Sequence, residues 1–554
     1  MSVNVKTEEG LLMVAGKPYD GSYVTPEMFG AVGDGETDDT EAFKAAMSSG
    51  HPCLISTKKY AVKNILLENI DGVTIYGNNA VLYFPDETNN KKWLSFVDCK
   101  NITIDGIVFD GNRENQTIVK TGVAGKDVTE NCPAILLDNV ENARITNCTF
   151  IDCQADGIQI DKIYYDQVAT KSNVSRNVYI ANNTFDKVGR NGVSVCHADG
   201  CIIIANIFRN ISLFSTTIAC GIDVEPNPEY EFVAVNVDIS NNIFENCEFG
   251  INLSLGSLNN NSHDISVSNN LICSTVGSEY GIYLSGREGK AYNVDVRNND
   301  VSGTHFGIYG TSVYKFKIIN NNVHDLALGS TTYGGGVAVF FDKISYCEIS
   351  KNIFESIGIY TAKINSAENT VIAQNEFKGD SNSESYIILT DSCVGCEIVA
   401  NLFSGNKIPI FLRNQASDTK ITDNHMIGSH NNIDITSGRN IVKYNNQVNV
   451  INQRTNITAT TEYSFTGISF IVSKNSKYVL SYEVPWVNHK PRLVALTTSA
   501  TSATEGVIAT ATVADVMRIN VSGVAKSDMT LYLWCAYSSN GEGDYVDVVG
   551  RIED

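Results

Sequence analysis

The chain has 554 residues, of which 43% are hydrophobic and 19% are charged. This composition is too apolar and too weakly charged for a disordered chain, and the length allows about two to four ordinary domains or one long repetitive domain with appendages. With 41 Lys and Arg against 62 Asp and Glu, the net charge is −21, which excludes a protein whose affinity for nucleic acid rests on phosphate neutralisation.

The N-terminal residues 1–24 are too short for a domain and are expected to form a leader or attachment segment. Their start, MSVNVKTEEGLL, lacks the basic stretch and the apolar core of a signal peptide. No apolar run in the sequence approaches the roughly 18 residues that a membrane helix needs. We therefore expect a protein that is made in the cytosol and does not insert into membranes.

The next predicted element is a helix at about residues 38–49, which we expect to cap the domain that follows. Thr37 or Asp38 is suited to cap its N-terminus. Its apolar face consists of Phe43, Ala46 and Met47. The acidic residues Asp34, Asp38 and Asp39 are interpreted as turn and capping residues rather than as a metal site, because Asp-Gly favours turns and Thr-Asp-Asp-Thr favours helix starts.

Internal repetition dominates the middle of the chain, which we assign to one domain at residues 25–452. A six-residue motif recurs in which the first and last residues are apolar, the fourth is Asn and the third is often Asn as well. The shortest spacing between successive motifs is 22–23 residues. The fourth position is occupied by Asn183, Asn206, Asn242, Asn270, Asn299, Asn321, Asn352, Asn375, Asn401 and Asn424. Such a period, with longer intervals between, is typical of solenoid coils with loop insertions. Stacked Asn side chains can form amide ladders between coils, and Asn tolerates the left-handed backbone of a sharp corner.

A second motif, Gly-apolar-x-apolar, marks one short strand in each of several coils. Together the two motifs predict an all-β fold, a right-handed parallel β-helix. If the glycines stack, one outward column consists of Gln159, Ser194, Asp223, Asn252, Tyr283 and Tyr309. The next outward column consists of Asp161, Cys196, Glu225, Ser254 and Ser285. Asp156 and Asn191 lie where their strands begin.

The carboxylates in these columns are the candidate catalytic groups. Asp223 and Glu225 are expected to lie roughly 6.5–7 Å apart on one strand, with Asp161 two coils away. Because like charges on one face repel, one carboxyl is expected to hold a raised pKa, the arrangement that glycosidases use for a general acid beside an ionised partner. Asp156 and His197 complete the candidate catalytic set.

The same face supplies candidate substrate contacts. They are Gln159, Arg190, Asn191, Asn252, Tyr283 and Tyr309. The two tyrosines are suited to stack on sugar rings. Insertions at 162–175 and 225–232 are expected to form the walls of a groove. The alternative is that these polar residues form only a solvated solenoid face.

Residues 453–554 lack the Asn motif and alternate polar with apolar residues over six or seven short runs. This pattern predicts a small antiparallel β-sandwich that serves oligomerisation or carbohydrate binding. Trp486 and Trp534 are interpreted as core residues rather than sugar platforms.

The cysteines lie mostly within apolar strands, so we expect reduced core thiols. Cys393 and Cys396 form a lone CxxC without a second pair, which does not indicate zinc. We expect no resident metal and no cofactor.

One segment resembles a known family. Residues 29–40, FGAVGDGETDDT, resemble the N-terminal signature of the pectate-lyase-like (pectin lyase fold) parallel β-helix superfamily, which includes polysaccharide hydrolases, lyases and phage tailspikes. Residues 154–158, QADGI, are loosely similar to a polygalacturonase active-site strand. The next coil has Arg190-Asn191 in place of that family's paired aspartates, which speaks against a polygalacturonase.

The resemblance implies a phage or prophage tailspike-type depolymerase, a homotrimer, that hydrolyses a bacterial surface polysaccharide. Such a protein is carried on the virion or released by lysis. Two alternatives stay open. One is a polysaccharide lyase on the same fold, which would use calcium, and the other is a receptor-binding fibre without enzymatic activity.

Overall fold

The computed structural model describes the backbone of residues 22–427, with the side chains in that range except those of residues 276, 386, 387, 389, 390 and 413–415, and, outside that range, the backbone of short strands. The gaps within 22–427 are residues 86–91, 117–131, 163–172, 212–218, 227–232, 257–260, 288–289, 330–334, 380–385 and 406–407. The chain divides into two compact units, one of residues 1–336 with 340–347 and one of residues 337–339 with 348–554.

The first unit is a parallel β-helix of three sheets, as predicted. Sheet A, which carries the candidate site, contains Ile65–Glu68, Leu94–Val97, Ile135–Asp138, Ile158–Ile160, Val193–Val195, Cys220–Val224, Phe249–Ser254 and the second halves of Leu271–Ser285 and Asp300–Thr311. Each strand of sheet A pairs in parallel with the strand one coil further along the chain.

The other two sheets follow the same rule. Sheet B contains Cys53–Ile55, the first halves of Thr74–Tyr83 and Lys100–Asp110, then Glu141–Thr146, Ser175–Ala181, Ala198–Ile204, Ala234–Ser240, Ser262–Ser268, Ala291–Arg297 and Phe316–Ile319. Sheet C contains Lys59–Ala61, the second halves of Thr74–Tyr83 and Lys100–Asp110, then Thr149–Ile151, Thr184–Asp186, Ile207–Arg209, Ile243–Glu245, the first halves of Leu271–Ser285 and Asp300–Thr311, and Asn322–His324. Three further strands are Asp34–Asp38, Val313–Tyr314 and Val337–Ser345.

The recurring Asn residues form the predicted amide ladder inside the solenoid. The Oδ1 atom of each Asn accepts the backbone N–H and the Nδ2 group of the preceding Asn at 2.9–3.1 Å, along Asn183, Asn206, Asn242, Asn270, Asn299 and Asn321. The residue before a ladder Asn turns the corner in a left-handed conformation, as at Asn182 and Asn241 with φ of 55° and 54°. The first Asn of each pair therefore provides the left-handed turn of the backbone, and the second provides the side-chain hydrogen bonds of the ladder in the core.

An aromatic stack explains the glycine of the second motif. Stacked rings lie 4.7–4.9 Å apart along Phe109, Phe150, Phe185, Phe208 and Phe244. A Cβ atom at Gly192 would lie 2.4 Å from the Phe208 ring and 2.6 Å from the Gly221 carbonyl oxygen. Sheet A passes too close to this stack for any side chain, so Gly begins the strand and the outward residues that follow are held in register.

Replacing Asn242 by alanine is expected to lower the free energy of unfolding by about 3–5 kcal/mol, because it leaves several buried groups of the ladder without a partner. The Asn206 amides lose their acceptor and the Ile203 carbonyl oxygen loses a donor. Asn241→Gly is the matched control, since its exposed corner with positive φ suits glycine, and it is expected to cost less than about 1 kcal/mol. Chemical denaturation measures both, and equal losses would contradict a stabilising ladder.

The second unit repeats the coil pattern. An amide ladder of its own links Asn352, Asn375, Asn401 and Asn424. Its parallel strands are Glu348–Ser350, Ile353–Glu355, Tyr360–Glu368, Val371–Ala373, Glu376–Lys378, Tyr386–Val394, Glu397–Val399, Leu402–Ser404, Ile408–Ser417, Lys420–Thr422, His425–Ile427, Ile433–Ile435, Gly438–Arg439, Val442–Tyr444 and Gln447–Val448.

Gln447–Val448 pairs in parallel with His425–Ile427 and antiparallel with Asp544–Glu553, so antiparallel pairing begins before residue 453. One set of strands pairs Gln453–Ile457, Asp544–Glu553, Lys477–Glu483 and Arg518–Val524 in that order. The other set pairs Tyr463–Val472, Met529–Tyr537, Leu493–Thr497 and Val507–Ala511. The packing of these sets into a sandwich stays a prediction, and the side chains of Trp486 and Trp534 lie outside the described residues.

The predicted N-terminal helix is present but shorter than expected. It spans Thr40–Met47, with Phe43 and Met47 buried, and its N-cap residue is Asp39 rather than Thr37 or Asp38. The Asp39 carboxylate accepts the backbone N–H groups of Val32 and Gly33, at 2.7 and 3.1 Å, so it ties the preceding loop to the helix start. Its capping of the solenoid stays a prediction.

Elsewhere at the N-terminus, three strands pair antiparallel at Val5–Glu8, Leu11–Val14 and Lys17–Pro18. Short 3-10 helices span Pro26–Phe29 and Arg113–Asn115 in the described part of the chain. In the described part of the chain, no helix is long and apolar enough to cross a membrane. The described cysteines are free thiols.

Candidate functional site

The register of sheet A confirms the predicted outward column. Cα pairing runs from Gln159 to Ser194, Asp223, Asn252, Tyr283 and Tyr309, one residue in each successive coil. In the second column, Ser254 pairs with Ser285. The glycine-led motif therefore placed residues from distant parts of the sequence side by side.

The polar residues of this face are buried, which differs from the open, solvated face expected from the sequence. Gln159, Asp223 and Asn252 are 4%, 7% and 5% exposed, whereas Glu225 is exposed. Buried polar groups need hydrogen-bond partners to offset the loss of water. The buried groups of this face accordingly form hydrogen-bonded clusters, and Glu225 beside them is exposed.

Asp156 and Arg190 form the anchor of one cluster. The Arg190 Nε and one terminal nitrogen donate to the two oxygens of the Asp156 carboxylate, both at 2.8 Å. The carboxylate also accepts the Ser194 hydroxyl at 2.7 Å and the Asn191 backbone N–H at 3.1 Å. With all of these donors directed at it, and with no exposed surface, Asp156 is a structural anion rather than a free catalytic group.

Asn191 connects this anchor to Asp223. Its Nδ2 group donates to the Asp223 Oδ2 at 3.1 Å and to the Ser194 Oγ at 2.9 Å. On the other side, the Asn252 Nδ2 lies 2.8 Å from the Asp223 Oδ1. Asp223 is thus held from the coil before it and from the coil after it.

The pKa of Asp223 is raised to about 8, first by burial and then by the nearby Glu225 carboxylate. The Arg190 guanidinium and the Asn252 amide oppose this rise. Burial and the neighbouring Glu225 carboxylate therefore both favour the protonated form of the Asp223 carboxyl. The structure thus places a buried carboxyl with a raised pKa two residues before the exposed Glu225, which follows the end of the strand Cys220–Val224. The sequence predicted a raised pKa on this face without assigning it to one carboxyl.

Asp161 belongs to a separate cluster on the same face. It accepts the Gln159 Nε2 group at 3.1 Å and the Lys162 backbone N–H at 2.8 Å. The Lys162 ammonium forms a buried ion pair with Asp138 at 2.9 Å. Sequence reasoning missed this pair, although Asp138 ends the ILLD strand in register with the strand that precedes Asp161.

His197 is poorly placed to act as a base. It is 2% exposed, and its Nδ1 atom accepts the Val233 backbone N–H at 3.2 Å. A neutral imidazole whose Nδ1 accepts a hydrogen bond carries its proton on Nε2, so it presents a donor there rather than a lone pair. The catalytic role suggested for His197 is therefore not supported by its geometry.

Tyr283 and Tyr309 stack on each other, and the second face of Tyr309 stacks on Phe340. The Tyr309 ring lies 5.4 Å from Tyr283, at 12°, and 4.8 Å from Phe340, at 3°. Both faces of Tyr309 are thereby covered, which corrects the expectation that it stacks on a pyranose. Tyr280 and Phe306 form a second stack beside them, with ring centroids 5.3 Å apart.

Within the described ranges, no three His, Cys, Asp or Glu side chains are grouped so as to hold a metal ion. The groove walls predicted from 162–175 and 225–232 fall largely on residues outside the described ranges.

Comparison with known proteins supports the fold. Residues 167–340 match the family model described as the right handed beta helix region. A pre-neck appendage protein of Bacillus phage B103 is 27% identical over 240 residues, which cover 41% of this chain and 26% of that protein. The chain thus spans about a quarter of the curated relative's length.

Solved structures of one phage protein match over most of both chains. A double mutant of the tailspike protein of E. coli bacteriophage HK620 gives a TM-score of 0.55 at 13% identity, covering 94% of each chain. A mutant of the same tailspike in complex with a hexasaccharide gives 0.51 at 11% identity, with the same coverage. These matches confirm the tailspike-like fold predicted from residues 29–40 and the repeats.

Proposed function

We propose that this parallel β-helix protein is a virion-associated, tailspike-type depolymerase that hydrolyses a glycosidic bond of a bacterial surface polysaccharide. The observation that carries the proposal is the placement of the buried Asp223, whose pKa is raised, two residues before the exposed Glu225 at the end of a strand of sheet A. Glycosidases need these two states of a carboxyl at one site, an acid to protonate the leaving oxygen and a carboxylate beside it.

In this mechanism, Asp223 donates its proton to the glycosidic oxygen as the bond to the anomeric carbon breaks. Glu225 accepts a proton from the water that attacks that carbon. Alternate side chains of a strand lie roughly 6.5–7 Å apart, within the roughly 6.5–9.5 Å that inverting glycosidases keep between their carboxyls, so we expect inversion at the anomeric carbon. Asn252, one coil from Asp223, is a candidate contact to the sugar.

The similarity to other proteins supports a polysaccharide substrate and a location on the virion. The HK620 tailspike has been solved with a bound hexasaccharide, and the B103 relative is a phage appendage protein. By the same resemblance we propose a homotrimer. A polysaccharide partner also suits a buried face rich in amides and hydroxyls, which match sugar hydroxyls as donors and acceptors.

Hydrolysis is favoured over elimination because two cations near the candidate carboxyls, Arg190 and Lys162, are already paired with buried carboxylates. A lyase acting on a uronic acid polymer needs a free cation or calcium at the sugar carboxylate. Arg190 is bound by Asp156 and Lys162 is bound by Asp138. The proposal therefore needs no calcium.

The test is digestion of a panel of capsular and lipopolysaccharide glycans by the full chain. Two products are measured in parallel, new reducing ends and the ultraviolet absorbance of unsaturated sugars. We expect reducing ends without that absorbance, at least about 10²-fold fewer with Glu225→Gln, and no change with Glu245→Gln, an exposed carboxylate on sheet C. Both signals together would identify a lyase, and binding without either signal would identify a receptor-binding fibre.

A further inference from the structure

Asn191 is held by several hydrogen bonds within the protein. Its side chain contacts Asp223, Ser194 and the backbone N–H of Cys220, and its own backbone N–H donates to Asp156. It is 1% exposed. A side chain that is so enclosed has little surface left for a substrate.

The orientation of the Asn191 amide is fixed by one of these contacts. Its Oδ1 accepts the Cys220 backbone N–H at 2.9 Å, and a backbone N–H can only donate. The Nδ2 group must therefore face Asp223 and Ser194. The hydroxyl of Ser194 donates onward to Asp156, which completes an unbroken chain of hydrogen bonds from Arg190 to Asp223.

We propose that Asn191 is the positioning residue of the site, whose fixed amide holds the Asp223 carboxyl in place and directs its proton to Oδ1. This inference rests on the proposed function for its catalytic meaning, but not for its geometry. Because Nδ2 has no lone pair to accept a proton, it favours an acceptor oxygen at Asp223 Oδ2. The proton then lies on Oδ1. In the structure this oxygen accepts the Asn252 Nδ2 group, so protonation requires the Asn252 amide to turn its oxygen towards Asp223.

Asn252 differs from Asn191 in that, among the described residues, no backbone group forms a hydrogen bond with its side-chain amide. The other contact of its side chain is the Ser254 hydroxyl, 3.3 Å from Oδ1, and a hydroxyl both donates and accepts. The Asn252 amide is therefore free to present oxygen to the protonated Asp223 and nitrogen to the ionised form. Because the Asn191 amide is fixed and the Asn252 amide can turn over, the Asp223 carboxyl can lose and regain its proton without moving.

The titration of Asp223 also depends on the other ionisable groups near it. These groups are Glu225 and Cys220 on its own strand, and Asp156, Arg190 and Cys196 on the preceding coils. A test of Asn191 must leave all of them in place.

Asn191→Asp meets this requirement, because it keeps an oxygen for the Cys220 N–H and replaces only the donor that faces Asp223. Two carboxyls would then share one proton, so the midpoint for loss of that proton is expected to rise by at least about one pH unit. Infrared titration of the carboxylic acid band measures it, with the Asp223 band assigned by its loss in Asp223→Asn. Asn241→Asp, the same chemical change at an exposed corner, is expected to leave the midpoint unchanged.

Ser194→Ala provides a second variant in case Asn191→Asp does not fold. This variant keeps Asn191 but removes the hydroxyl that links Asn191 to Asp156. The midpoint for loss of the Asp223 proton is expected to rise by less than in Asn191→Asp. A midpoint that is unmoved in Asn191→Asp and in Ser194→Ala would overturn the proposal. If the midpoint moves but the wild type cleaves no glycan, the positioning role stands and the hydrolase proposal fails.

Discussion

Asp223→Asn is expected to lower the rate of polysaccharide cleavage at neutral pH by about 10²–10⁴-fold, the usual contribution of a general acid. Asparagine keeps the size of the side chain and its contacts to Asn191 and Asn252, but it has no proton to give to the leaving oxygen. In the wild type, kcat/KM is expected to fall as pH rises through about 8, where Asp223 ionises. Glu245→Gln again serves as the control, with an unchanged rate.

Loss of folding would not explain this result. The folded protein holds the Asp223 proton more tightly than the unfolded chain, so the stability that this group contributes is present at low pH and is lost as pH rises from its ordinary value of 3.8 to about 8. Asp223→Asn removes that loss of stability. The melting temperature of the variant, relative to that of the wild type, should therefore increase as pH rises. An Asp223→Asn variant that is fully active would contradict the assignment of the acid.

Arg190→Ala is expected to lower the free energy of unfolding by about 3–5 kcal/mol, because it leaves a buried carboxylate without its cation. Asp156 has no exposed surface, and the Arg190 fork supplies two of its hydrogen bonds. Ser194 and the Asn191 N–H remain as donors, which places the loss towards the lower end of this range. Urea denaturation at pH 7 measures the loss.

The matched control is Arg209→Ala, which removes the partner of the half-exposed ion pair with Asp186. Solvent screens that pair, so the loss is expected to stay below about 1 kcal/mol. Arg190→Lys keeps the charge but not the planar fork and should fall between the two. Equal losses at positions 190 and 209 would show that the Arg190–Asp156 pair does not anchor its cluster.

The fold and the outward column of sheet A could be predicted because they follow from local rules that repeat. Asn marks each ladder position and Gly marks each strand that passes the Phe208 stack, so the register follows from counting along the chain. The closeness of Asp223 and Glu225 then follows from their separation of two residues. Their mutual repulsion is only the second cause of the raised pKa of Asp223, after burial, which the sequence did not indicate.

The remaining features depend on contacts between coils that no local pattern encodes. Nothing in the sequence around Arg190 indicates that it would bind Asp156, 34 residues earlier, rather than a substrate. Likewise, the column rule placed Tyr283 beside Tyr309, yet it could not say that Phe340 would cover the remaining ring face. The largest error of the sequence prediction concerns burial. Outward residues of an ideal solenoid are solvated, whereas the polar residues of this face are buried.

The central claim is that Asp223 keeps its proton at neutral pH while Glu225 beside it is ionised. The most direct test is an infrared titration of the wild type against Asp223→Asn, which isolates the carboxyl band of this one residue. A carboxylic acid band that is present at pH 7 and disappears with a midpoint near pH 8 is the predicted result. A carboxylate band already complete at pH 5 would contradict the account, because Asp223 would then have no proton to donate.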